Sequence, residues 1–133
     1  MKLENQVCTL QQAKRLQELG VSQESHFQWK VNEIQSVVSE SKFCYQIITH
    51  LPGLNEYWAA YTVAELGVML GLDCTGSLLT KSFPENRVTE INDWIDINEN
   101  TDQSEACFRA DLLIFCIESK FISVALVNER LSS

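Results

Sequence analysis

Apolar and polar positions change period several times along the chain, and each change marks an expected element. From Thr9 to Leu19, the residues Leu10, Ala13 and Leu16 recur at helical spacing while Gln11, Lys14, Arg15 and Glu18 fall largely opposite. That is the pattern of a helix laid on a core. Thr9 and Gln12 match a capping box, and Leu19-Gly20-Val21 matches a left-handed C-terminal stop. The same signals recur at Thr62 with Glu65 and at Leu70-Gly71-Leu72, predicting a second short helix in which Tyr61 and Leu66 are placed for a hydrophobic staple. Gly67 inside that helix costs about 1 kcal/mol relative to alanine, so it marks either close packing by a neighbour or a bare tolerance.

Between these helices the period falls to two. Phe27, Trp29 and Val31 alternate with polar neighbours, Asn32-Glu33 suits a turn, and Ile34, Val37 and Val38 suit a partner strand. Phe43, Tyr45 and Ile47 alternate again, giving a strand over 42–49 that Leu51-Pro52-Gly53 ends. A meander of two or three antiparallel strands therefore fits residues 25–49. Glu56 to Tyr61 reads as the lead into the second helix. Further on, Ser77 to Thr80 suits a short strand, Ser82 to Arg87 a loop, and Trp94, Ile95 and Ile97 a strand over 92–97.

After a polar turn from Asn98 to Gln103, Asp102 with Glu105 offers another capping box. Ala106, Ala110, Leu113, Ile114 and Ile117 then continue at helical spacing. Phe108, Leu112 and Phe115 add a second apolar stripe, which predicts a central helix covered on two sides. Ser119-Lys120 breaks it, and Ser123 caps a last helix with Val124, Val127 and Leu131 on one face. The sum is an α+β arrangement, an antiparallel sheet of about four strands with helices packed on one side, in a single domain over residues 1–133. No alternating βαβ series is visible, which argues against a parallel nucleotide-binding sheet.

Composition adds the compartment. The chain is 45% hydrophobic and 21% charged, ordinary values for a folded soluble domain. Its five cysteines show no C-x-x-C pair and are expected as reduced, mostly buried thiols of a cytoplasmic protein. The N-terminus lacks a signal-like apolar run, and Leu112 to Val127 is interrupted by Glu118 and Lys120, so no membrane association is expected.

Charge singles out one segment. The net charge is −8, and residues 85–111 hold eight acids against two bases. Lys14-Arg15 is the only basic dipeptide, so direct binding to nucleic acid is not expected. An acid recurs every third residue at Glu90, Asp93, Asp96, Glu99, Asp102 and Glu105. This spacing follows neither one helix face nor one strand face. It is read either as a solvated edge or as an acidic surface that docks a basic partner, as phosphate mimics do.

Candidate chemistry is sparse. Asp96, Asn98, Asn100, Asp102 and Ser104 carry oxygen at calcium-loop positions, but Thr101 stands where the turn needs glycine and Cys107 where a bidentate Glu is needed. A polar turn explains the same residues, and no metal site is assigned. His26 and His50 are the only histidines; Cys44 with His50 lacks an identifiable orienting carboxylate. Nucleotide-loop, zincin and serine-elbow motifs are absent. No catalytic residue and no cofactor is expected. Tyr57-Trp58 is the aromatic pair best suited to anchor a partner.

Residues 2–16, Glu18-Leu19-Gly20-Val21 and Tyr61 to Gly67, with Ala110 to Ile114 more loosely, resemble a family of small uncharacterised proteins from prophages and other mobile elements of gut Bacteroidetes. The resemblance implies a cytoplasmic accessory protein and carries over no site residues. The expected role is a small acidic interaction module whose partner surface is Tyr57, Trp58, Glu90, Asp93, Asp96 and Glu99. The alternatives are a hydrolase or metal-dependent enzyme with a dispersed site, and an acidic nucleic-acid mimic that binds a basic host protein.

Overall fold

In the computed structural model, which describes residues 5–31, 36–40, 56–72, 83–99 and 102–132, the first two of the three expected capping boxes form. Thr9 Oγ1 accepts the Gln12 N–H at 3.2 Å and Gln12 Oε1 accepts the Thr9 N–H at 2.9 Å, opening α1 (Leu10–Glu18). Thr62 and Glu65 repeat the exchange at 3.2 and 2.9 Å, opening α2 (Val63–Leu70). Both helices close as expected: Gly20 and Gly71 have φ of 94° and 71°, and Val21 N–H and Leu72 N–H return to Leu16 O and Gly67 O, each at 3.0 Å. Tyr61 and Leu66, the staple pair, are both fully buried. Replacing Thr9 or Thr62 by alanine is expected to cost about 1 kcal/mol each, read as a shift of the urea midpoint.

Three short strands follow α1 in the chain: β1 (Phe27–Val31), β2 (Ser36–Glu40) and β3 (Glu56–Ala59). They form one antiparallel sheet in the order β2-β1-β3, with Trp29 opposite Val38 on one side and Trp58 on the other. The partner strand expected around Val37 and Val38 is therefore present. Residues 56–59, read from sequence as a lead-in, are a strand. Gln28 and Trp29 are both buried, so β1 is covered on both faces at its centre rather than half-buried.

The expected strand over 92–97 is instead part of α3 (Glu85–Glu99), which also takes in the end of the expected loop from Ser82 to Arg87. Burial shows why. Ile91 is fully buried and Val88, Trp94 and Ile95 are half-buried, at helical spacing, whereas Ile97 is 76% exposed although it would share a strand face with Ile95. Pro84 begins the helix, its carbonyl accepting from Arg87 and Val88.

α4 (Glu105–Glu118) is capped by Ser104, whose hydroxyl accepts the Cys107 N–H at 3.1 Å, so the expected cap at Asp102 moves by two residues. It ends at Lys120, which takes a φ of 63° while Phe121 N–H returns to Cys116 O at 2.8 Å. Ser123 caps α5 (Val124–Leu131), of which Val127 is fully buried.

The expected four-stranded α+β architecture is thus corrected. Five helices dominate the described residues, and the sheet has three strands of four or five residues. Tertiary burial of an i, i+3, i+4 stripe overrides the local alternation that suggested a strand at 92–97. The expected turn at Asn32-Glu33, Ile34, the strands at 42–49 and Ser77 to Thr80, and the stop at Leu51-Pro52-Gly53 lie outside the described residues.

The core centres on α4, as its double apolar stripe predicts. Ala106, Ala110, Leu113 and Cys116 are fully buried, and α4 packs against α1, α2 and α3. Polar side chains pin the layers together. Gln12 Nε2 donates to Asp111 Oδ1 at 2.6 Å and to Cys107 O at 2.9 Å, joining α1 to α4. Asn128 Oδ1 accepts the Ser22 N–H at 2.6 Å, its Nδ2 donates to Gly20 O at 3.1 Å, and Arg130 Nη1 donates to Met69 O at 3.1 Å. α5 thereby fastens the closing turns of α1 and α2, satisfying carbonyls that a helix end leaves unpaired. Arg109 of α4 donates to Val63 O at 3.0 Å and lies 2.6 Å from where a Cβ on Gly67 would stand, so Gly67 reflects close packing rather than tolerance.

Candidate functional site

Once residues 85–99 are helical, the acid series acquires a geometry. Glu85, Glu90, Asp93, Asp96 and Glu99 are all exposed on α3, opposite its buried stripe. A three-residue step drifts about 60° around a helix, and the four acids from Glu90 to Glu99 stay within the outward half. The predicted acids therefore all lie on the solvent side of α3, spread over about half of its circumference. Ile97 stands exposed among them.

This face is poorly arranged for the helix that carries it. Glu90, Asp93, Asp96 and Glu99 are successive i, i+3 neighbours, a spacing at which like charges destabilise. Asp96 and Glu99 also sit in the C-terminal turns, where the helix end is itself partially negative, and no basic residue lies in the last turn. The single cation on α3 is turned inward: Arg87 Nη2 donates to Ser119 O at 2.6 Å, and its guanidinium lies 4.0 Å from the Phe121 ring centroid. It reaches one acid, Glu90, at 3.6 Å. On the inner side Trp94 stacks on Phe115, centroids 5.0 Å apart, and joins α3 to α4.

Tyr57 and Trp58 are placed elsewhere. Both are half-buried on β3, and as successive strand residues they point to opposite faces, so they do not form one patch. Trp58 is engaged by α1: its Nε1 donates to Gln17 Oε1 at 2.7 Å, and Lys14 Nζ lies 4.9 Å above its ring. β3 packs on β1 and α1, whereas α3 packs on α4, so the two halves of the expected surface belong to different elements.

The calcium-loop reading fails on backbone geometry. Asp96 to Glu99 lie within α3 and Glu105 to Cys107 within α4, so the ligand positions do not follow one loop. Among the described residues no group of three or more His, Cys, Asp or Glu side chains gathers to hold a metal. Cys44 and His50 lie outside the described residues. Burial pushes the Cys8 and Cys116 thiols up to about 12, and burial with the nearby Asp111 charge raises Cys107. Such thiols stay protonated near neutral pH and are poor nucleophiles.

A feature the sequence reading missed is a groove of about 680 Å³ where the first turns of α2 and α4 meet. Phe27, Val63 and Ala64 give it apolar walls, and Asp102 and Glu105 stand at it. The groove is assembled from distant segments, and only the position of Asp102 and Glu105 at the end of the acid series hinted at it.

No helix among the described residues is long and apolar enough to cross a membrane. Compared with family models, curated proteins and solved structures, the chain matches none.

Proposed function

We propose that this chain is a non-enzymatic accessory module that binds a basic protein through the outer face of α3. In keeping with the resemblance of its helices, we place it in the cytoplasm as a product of a prophage or mobile element. One observation carries the reading: four acids spaced along α3 weaken their own helix by mutual repulsion, Asp96 and Glu99 also oppose its dipole, and among the described contacts only the Arg87–Glu90 pair at 3.6 Å offsets them. A basic partner relieves that repulsion. The exposed Ile97 supplies an apolar contact at the centre of the charged face.

The test is a double charge reversal, Asp96→Lys with Glu99→Lys. It is expected to raise the melting temperature by a few degrees, since it completes the helix dipole, and to abolish capture of basic proteins from bacterial lysate. Capture that survives the reversal, or a variant less stable than the parent, overturns the reading. The same exposed carboxylates favour a second reading as a nucleic-acid mimic. Its mark is that duplex DNA competes for the captured partner.

A further inference from the structure

We propose that the groove between the first turns of α2 and α4 receives an arginine or lysine side chain from an extended basic segment of the partner. The inference rests on the preceding reading that the partner is basic and adds where its side chains go. Helix N-termini ordinarily favour anions, each carrying about half a positive charge. Here both ends are already answered. Glu65, in the first turn of α2, accepts from Thr62 N–H at 2.9 Å, from the Ser25 hydroxyl at 2.8 Å and from His26 N–H at 3.2 Å. Glu105, in the first turn of α4, has one oxygen held by Arg109 Nε at 2.8 Å. Asp102 is exposed and forms no ion pair among the described residues, so the balance at the groove is negative.

The wall chemistry agrees with the charge. A long basic side chain buries its methylene stem on apolar surface and keeps its head at polar groups. Phe27, Val63 and Ala64 offer the surface, the aromatic ring adds attraction for a cation, and Asp102 and Glu105 offer the head its acceptors. At about 680 Å³ the space exceeds one side chain, leaving room for flanking residues of an extended segment. In the sequence, Asp102 and Glu105 follow Glu99 at the same three-residue step.

A labelled oligoarginine peptide, titrated by fluorescence anisotropy against the full chain, tests this. Ala64→Leu narrows the groove without altering charge or adding a ring that would itself attract a cation, since Ala64 is exposed at its wall, and Asp102→Asn removes charge without altering shape. Each is expected to weaken the peptide by about tenfold, the order of one lost buried or charged contact. If Asp96→Lys with Glu99→Lys abolishes binding while both groove variants bind like the parent, the groove inference falls and the acidic-face reading stands. If the groove variants alone lose binding, the groove stands and the face falls. A peptide that binds none of the proteins overturns both.

Discussion

Raising the pH from about 9 to about 11 is expected to remove roughly 5 kcal/mol of folding stability through the Cys8 and Cys116 thiols alone. Both are fully buried, and burial lifts each from an ordinary 9.0 to about 12. In the unfolded chain they lose their protons above pH 9.0, while the folded chain retains them. The folded state then binds more protons, so stability falls as pH rises. The contribution is fully present below the unfolded value and drains away toward the folded one, at about 1.4 kcal/mol per pH unit per group. Tyr61, raised from 10.0 in the same direction by burial, steepens the fall. Small domains hold about 5–15 kcal/mol in total, so this loss is a third of that or more. Urea midpoints measured stepwise across the range check it. Cys116→Ala should remove one proton from the slope, and a flat profile would show that these thiols titrate as they do in the unfolded chain.

What was legible in the sequence depended on whether the signal was local. The caps at Thr9, Thr62 and Ser123 and the stops at Gly20 and Gly71 are written in a few adjacent residues, because a hydroxyl reaches only the next turn and a left-handed backbone needs only its own glycine. α3 was misread because Trp94, Ile95 and Ile97 crowd three apolar residues into four positions, a run too short to separate the two periods. The deciding residues lay upstream: Val88 and Ile91 extend Trp94 and Ile95 at helical spacing, and Pro84 suits a helix start. That error hid the acidic face, since the common side of Glu90 to Glu99 exists only if the segment is helical. β3 escaped notice for a different reason. Its pairing with β1 joins residues about thirty apart, and nothing within Glu56 to Ala59 announces the partner. The groove was beyond reach because its walls come from separate parts of the chain.

The contact between α2 and α4 allows a sharper test, in which one substitution changes sign with its background. Gly67→Ala should destabilise the parent chain and stabilise the Arg109→Ala chain. In the parent, the added Cβ would lie 2.6 Å from Arg109 Nη1, so the guanidinium must leave. It then gives up its bond to Val63 O at 3.0 Å, and with a side chain only 18% exposed it has little water to turn to. A hydrogen bond from a charged donor contributes about 1.5–3 kcal/mol, against about 1 kcal/mol that alanine gains over glycine inside a helix. The net is a loss of about 1 kcal/mol. With Arg109 already removed, only the helical gain remains, so the coupling across the cycle is about 2 kcal/mol. Equal shifts in both backgrounds would mean that the guanidinium does not occupy the notch in solution. Because Arg109 also holds Glu105 at the groove, its removal frees that carboxylate and should strengthen oligoarginine binding, the opposite of what Asp102→Asn does.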